Sequence, residues 1–312
     1  MKSPSALCDS LEITTAVGCP NACKVCPQRV FVGRYNQRSD IVLLRFEDFN
    51  TCIGKLPNHV RIDFSGFAEP WLNPQCTDMI LYAHQLGFRM AVFTTCIPMS
   101  VEDVERISHI PFVTFVVHLP DEDSNMGMPS IVRYREVLER IRSSRIGNIQ
   151  YMAMGPLKRE LLDLFGRHVS GFVPSSRAGN LATKKRSRKS GVIRCHVSMK
   201  MRRNVLLPNG DVVLCCNDYG MDHILGNLIK GNYHDLYMGE EYKRILSRLN
   251  LEQEGEVLCR YCDWSSSRQM STYILIREYS RDLISPFKQM FRSLPGIRCL
   301  RPFRQRGRSA PR

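Results

Sequence analysis

The stretch LEITTAVGCPNACKVC, residues 11–26, decides how the rest of the chain is read. Its first seven residues are mostly apolar or β-branched and predict a short buried strand. Directly behind it come Cys19, Cys23 and Cys26, spaced C-x3-C-x2-C on a loop. Three thiols on so short a segment can converge on one inorganic centre, because one compact turn separates each from the next. A structural zinc closes four ligands, and no fourth Cys or His stands close by in the sequence. A cubane iron–sulfur cluster held by three cysteines keeps one iron open to a ligand that is not protein.

Outward from this stretch, further strands are expected at residues 60–65, 89–95, 112–118 and 148–154, with a weaker one at 169–173. Amphipathic helical segments fall between them at residues 73–86, 100–108 and 131–143. Such alternation predicts parallel βα units whose ligands gather at the C-terminal strand ends. Five or six units are fewer than a closed eight-stranded barrel needs, so the fold class is α/β with an open, partial barrel. After residue 174 the composition turns rich in Ser, Gly, Lys and Arg and reads as a linker. Residues 204–207 and 211–215 then flank Asn209-Gly210, a strong hairpin signal. A helix at residues 240–249, the pair Cys259-x2-Cys262 and a helix from about Ser266, ended by Pro286, complete a small α+β module.

The 312 residues hold 44 Lys+Arg against 30 Asp+Glu, a net charge of +14. Nine basic and no acidic residues lie between Lys184 and Arg203, and eight basic and no acidic ones between Pro286 and Arg312; the remainder carries 27 against 30. The basicity is therefore two local patches. With 43% hydrophobic and 24% charged residues, neither disorder nor a fibrous repeat fits. The longest uncharged, largely apolar run, residues 107–120, has 14 residues and two prolines, short of the ~20 that cross a bilayer. Residues 1–11 lack the apolar core of a secretory signal, so a cytoplasmic location is expected. In a reducing compartment, thirteen cysteines call for metal or redox chemistry before disulfides.

The cysteine loop behind a first strand resembles that of the radical S-adenosylmethionine superfamily. The resemblance implies a partial (β/α)6 TIM-like barrel and a 4Fe-4S cluster on Cys19, Cys23 and Cys26, its open iron chelated by the amino and carboxylate groups of S-adenosylmethionine. Val25 departs from the aromatic residue usual there. The stretch from Asp63 to Pro70, DFSGFAEP, follows the second strand. Its glycine lets a ligand approach the backbone, and its acid can receive an ammonium group. It is similar to the family's Gly-Gly-Glu-Pro segment, which implies cofactor contacts from Ser65, Gly66, Phe67, Ala68 and Glu69. Thr95 stands in Thr94-Thr95-Cys96, where the family often has Thr-Asn-Gly. His118 ends the fourth strand, where a polar group commonly faces the ribose.

Cys195, Cys215, Cys259 and Cys262 form a second group, and by spacing alone they suit either a zinc ion or a fully ligated iron–sulfur cluster. The pattern Cys195-x14-Gly210-x4-Cys215 resembles the SPASM and twitch domains that follow radical barrels, which implies an auxiliary 4Fe-4S cluster. No cysteine lies between Cys262 and Cys299, so one auxiliary cluster is expected. Cys215 is taken over Cys216 for its spacing, and the alternation of a strand would turn Cys216 to the opposite face. Residues 177–180, Arg-Ala-Gly-Asn, resemble the segment that joins barrel to module. Cys8, Cys52, Cys76, Cys96 and Cys299 read as packed or incidental thiols.

The expected organisation is a radical barrel at 8–176, a basic linker at 177–194, a SPASM/twitch-like module at 195–265, and a helix with a basic tail at 266–312. The resemblance implies reductive cleavage of S-adenosylmethionine, abstraction of a substrate hydrogen and a two-electron oxidation of a carbohydrate-like or aminocyclitol-like metabolite. A peptide-modifying maturase is the alternative, set second because no separate leader-binding domain is visible. A zinc and nucleic-acid binding protein is the alternative of another class, although no aromatic residues interleave the basic run, as they do in single-strand platforms. Nucleic acid is not the expected partner. The basic patches would instead steer an electron donor of the flavodoxin or ferredoxin type.

Overall fold

The computed structural model describes residues 9–267, apart from 128–130, 167–168, 172–174, 182–186, 199–201 and 251–254. These residues fall within one compact unit, Pro4–Arg268. Six strands, β1 (Ser10–Ile13), β2 (Arg61–Phe64), β3 (Met90–Thr94), β4 (Thr114–Leu119), β5 (Ile149–Ala153) and β6 (Ser170–Gly171), pair in sequence order. Every pairing among them is parallel. Sequential parallel order with helices at each crossover is the wall of a partial barrel.

The helices between these strands are α1 (Gln28–Tyr35), α2 (Phe46–Ile53), α3 (Cys76–Gln85), α4 (Val101–Ile107), α5 (Ile131–Ser143) and α6 (Leu162–Phe165). α4 starts where it does because Ser100 and Asp103 make a reciprocal capping box: Asp103 N donates to Ser100 Oγ at 3.1 Å, and Ser100 N donates to Asp103 Oδ2 at 2.8 Å. α1 and α2 are not apparent from periodicity, since α1 (QRVFVGRY) carries a glycine and three charged or amide residues in two turns.

Side-chain alternation along the strands explains where the cavity lies. Leu11 and Ile13, Ile62 and Phe64, and Phe115 and Val117 are all buried in the core with Phe49, Met79, Ile80 and Leu138 of the helices. The intervening residues Ser10, Glu12, Arg61, Asp63 and His118 line a cavity on the other face. A barrel wall that is apolar outward and polar inward encloses a ligand space instead of a packed interior.

The C-terminal half joins this wall. β8 (Arg203–Leu206) runs parallel to β1, with Glu12 opposite Val205, and continues into β9 (Asp211–Val213) and β10 (Ile224–Asn227), both antiparallel to their neighbours. The hairpin at Asn209-Gly210 therefore extends the barrel sheet to nine strands. Gly210 has φ +83, and a Cβ there would come within 2.6 Å of Ile229. β7 (Ile193–Cys195) pairs separately with β11 (Ser265–Ser267), and α7 (Glu240–Asn250) packs beside them.

One expectation is corrected here. The helix from about Ser266 does not begin there: Ser265, Ser266 and Ser267 form β11, because their backbones pair with β7. Residues 268–312, with the rest of that helix and the basic tail, lie outside the described residues, as do Cys8, Cys299 and the run 182–186. The described part of the basic stretch is largely engaged. Lys189 Nζ donates to the carbonyls of Cys262 and Ser265, Arg188 pairs with Glu256, and Arg202 lies 4.4 Å from the Tyr237 ring centroid.

Candidate functional site

A cavity of about 490 Å³ opens at the C-terminal strand ends. Its wall contains Cys19, Cys23 and Cys26 from the first loop and Cys195, Cys215, Cys259 and Cys262 from the C-terminal half. It also contains Ser65, Gly66, Phe67, Ala68, Glu69, Thr95 and His118. Every site residue expected from sequence thus faces one space, although the chain separates the extremes by more than two hundred residues.

The first loop is tied to the segments that follow β3 and β4. Asn21 Nδ2 donates to Thr95 Oγ1 at 3.1 Å, Lys24 N donates to Asn125 O at 2.9 Å, and Gly127 N donates to Asn21 O at 3.0 Å. Its thiols are half-buried. Burial, opposed by backbone hydrogen bonds and reinforced by the charges of Glu69 and Cys26, raises Cys19, and burial with the charges of Cys26 and Cys19 pushes Cys23 up to about 12. Thiols this close resist ionisation together; a cationic iron centre among them reverses that preference.

Gly66 permits the fold of the next loop. It has φ +85, and a Cβ would collide with Thr14 Oγ1. The amide of Phe67 donates to that same hydroxyl at 3.1 Å. Glu69 turns its carboxylate to β3, accepting from Thr94 Oγ1, from Thr95 N at 2.7 Å and from Thr95 Oγ1 at 2.8 Å. Burial raises its pKa while these bonds lower it, and the balance remains upward. Glu69 is therefore a preoriented acid on the cavity wall, held by Thr94 and Thr95. His118 is pushed down to about 4, by burial first and the Arg177 charge second, so it is neutral at pH 7.

The second thiol group comes from four places: the end of β7, the turn after β9, and both ends of a short 3-10 turn, Leu258–Tyr261. Its members raise one another's pKa after burial, Cys215 with Cys259 and Cys262, and Cys259 with Cys195. The CxxC turn is built around Arg260, which is fully buried and donates to the carbonyls of Lys189, Gly191 and Arg248 at 2.7–3.0 Å. His223 Nε2 accepts from Leu258 N at 3.1 Å, and its Nδ1 meets Glu241 at 2.7 Å, which sets the tautomer. Asn217 Nδ2 and Trp264 N approach Cys262 Sγ at 3.5 and 3.4 Å. Among the described residues, no three His, Cys, Asp or Glu side chains converge closely enough to share a single metal ion. Two sets of thiols, each with N–H groups aimed at a sulfur, fit centres of several irons.

Cys215 and Cys216 turn toward different groups, although not by strand alternation. β9 ends at Val213, so Cys215 and Cys216 stand on a turn and both face the cavity. Cys215 packs with Leu258, Cys262 and Trp264, whereas Cys216 packs with the first group's neighbours Phe31, Phe67 and Tyr219. Asp218 is buried and accepts from the amides of Asp222 and His223. Cys52, Cys76 and Cys96 are buried in the main core.

Sequence reading missed two cavity residues. Glu12 on β1 accepts from Ser65 Oγ at 2.8 Å, and burial, then the Asp63 charge, raises its pKa. Asp63 itself is paired with Arg61 through bonds of 2.5 and 2.7 Å, whereas Glu12 makes no such ion pair among the described residues and is eased only by Ser65, Cys216 and the Arg177 charge. Arg177 has φ +52 and is followed by Ala178 at +53 and Gly179 at +79. That left-handed turn aims its guanidinium into the cavity, and burial leaves Nε without a hydrogen-bond partner. A carboxyl on a strand carries no motif, and Arg177 was visible only as part of a linker.

Residues 195–263 match the SPASM family, an iron–sulfur cluster-binding domain. Solved structures with the same fold include BtrN in complex with AdoMet and 2-DOIA, at a TM-score of 0.58 and 16% identity over 83% of this chain and 94% of that one. The chain shares the fold of this AdoMet-bound structure, and its C-terminal part carries a SPASM-type module. SuiB of Streptococcus suis bound to precursor peptide SuiA (0.55; 15% identity; 82% and 70% covered) and anSMEcpe with bound AdoMet (0.53; 12%; 82% and 86%) have a similar fold. No curated protein matches by sequence. Among the described residues, no helix is long and apolar enough to cross a membrane.

Proposed function

We propose that the protein is a radical S-adenosylmethionine oxidoreductase acting on a small carbohydrate-like or aminocyclitol-like substrate. The observation that carries this reading is the single cavity whose wall holds both thiol groups and the 65–69 loop. Cys19, Cys23 and Cys26 would hold the first 4Fe-4S cluster, and Cys195, Cys215, Cys259 and Cys262 the auxiliary one. When bound, the first cluster with S-adenosylmethionine supplies a 5′-deoxyadenosyl radical able to take a hydrogen atom from an unactivated carbon. Gly66 opens the backbone to the cofactor, Glu69 receives its ammonium group, and Thr95 and neutral His118 complete the polar wall.

Glu12 and Arg177 favour a substrate with hydroxyl or amino groups. A hydroxyl can donate to the Glu12 carboxylate and accept from the Arg177 guanidinium, satisfying two buried groups at once. The cavity's size lies in the range of small-molecule sites. A peptide substrate is the second reading, favoured by the likeness to SuiB with its precursor peptide. The zinc and nucleic-acid reading loses support where Arg188 and Lys189 of the basic stretch spend their donors within the fold.

The test is anaerobic turnover with dithionite, S-adenosylmethionine and a panel of cyclic polyols and aminocyclitols deuterated at carbon, with short peptides alongside. The reading expects deuterium in 5′-deoxyadenosine and a ketone product from one of the cyclic substrates. Deuterium transfer from peptides alone would replace it with the maturase reading.

A further inference from the structure

The turn that carries Cys215 and Cys216 reaches across the cavity to the first thiol group. Tyr219, 3% exposed, places its hydroxyl 3.6 Å from Cys26 Sγ. Its ring centroid lies 4.6 Å from that of Phe67, which lies 4.6 Å from that of Phe31 on α1. The stack therefore joins the turn of the C-terminal half, the 65–69 loop and the helix that leaves the cysteine loop. From the opposite side, Arg177 sets its guanidinium 5.8 Å from the Tyr219 ring centroid.

The turn is fixed at its base. Asp218 N donates to Cys215 O at 2.9 Å, Met221 N donates to Asp218 O at 3.0 Å, and the Asp218 carboxylate takes the amides of Asp222 and His223. His223 in turn holds Leu258, next to Cys259. A short chain of bonds thus runs from Cys26 through Tyr219 and His223 to the CxxC turn.

We propose that Tyr219 donates a hydrogen bond to the sulfur of Cys26 and so lets the C-terminal module set the reduction potential of the first cluster. The inference rests on the cluster assignment above. A cysteine that ligates iron has no proton, so the phenol is the donor of this pair. Gln28 Nε2, at 3.5 Å, gives the same sulfur a donor from its own loop. Hydrogen bonds to cluster sulfurs stabilise the added electron and move the potential upward. Tyr219 is a positioning residue: it acts on the cluster through Cys26.

Tyr219→Phe removes one oxygen and keeps the ring and its stack. In the reconstituted full chain, a redox titration followed by electron paramagnetic resonance would track the signal that changes on adding S-adenosylmethionine. The expected result is a shift of that signal to more negative potential at unchanged iron content. A purely packing role leaves the potential where it is in the parent protein, and that outcome overturns the inference. Absence of any signal responsive to S-adenosylmethionine in the parent overturns the cluster assignment itself, and the inference falls with it.

Discussion

The two thiol groups face one cavity but are built by opposite means. Cys19, Cys23 and Cys26 sit within eight residues, on a loop that needs only a few tethers from the strand ends. Cys195, Cys215, Cys259 and Cys262 span 68 residues, and their convergence depends on a strand pair, a hairpin turn and a buried arginine. Three thiols would leave one iron of a cubane cluster to a non-protein ligand, whereas four would ligate every iron. The local group carries its geometry in its spacing, whereas the distributed group borrows it from the fold. Damage to the scaffold should therefore affect the second group far more than the first.

The largest effect is expected from replacing Cys19, Cys23 and Cys26 with Ala: about half the iron is lost, and 5′-deoxyadenosine formation falls below detection by chromatography. Retained cleavage would erase the distinction between the groups. Replacing Cys259 and Cys262 should remove the other half of the iron, preserve cofactor cleavage and abolish product. An unchanged product yield would show that the second group has no redox part.

Much of this comparison was legible in the sequence, and the reasons differ by element. The strands of the barrel and the helices α3 to α5 declare themselves through period and caps, as Ser100 and Asp103 show. The pairing of β8 with β1 joins residues more than 190 positions apart, and no local pattern encodes it. Cys215 and Cys216 diverge on a turn and not along a strand, because the chain leaves β9 at Val213, two residues before Cys215. Glu12 and Arg177 were missed because their meaning lies in what surrounds them, a paired Asp63 on one side and a left-handed turn on the other.

Scaffold variants sharpen the contrast at smaller scale. Arg260→Ala leaves three carbonyls without their donor, a cost of about 3 kcal/mol, and should lower the auxiliary iron while sparing the first cluster. Thermal melts and iron analysis read both effects. Equal loss from the two groups would mean that the scaffold is shared.

The smallest effect concerns Glu12. Its carboxyl is raised above the ordinary range by burial and Asp63, so the folded state binds that proton more tightly than the unfolded one. The stability this contributes is present below the ordinary carboxylate pKa and is lost as pH rises through the raised value. Glu12→Gln cannot ionise, so the melting temperature of the variant relative to the parent should climb as pH rises above the ordinary carboxylate range. A constant difference across that window would mean that Glu12 is not held against its charge.

The central claim is that the two thiol groups hold two iron–sulfur clusters around one S-adenosylmethionine cavity. Anaerobic reconstitution followed by metal analysis and a dithionite-driven cleavage assay tests it most directly. The account predicts about eight irons per chain and formation of 5′-deoxyadenosine. Zinc in place of iron, with no deoxyadenosine under reducing conditions, would contradict it.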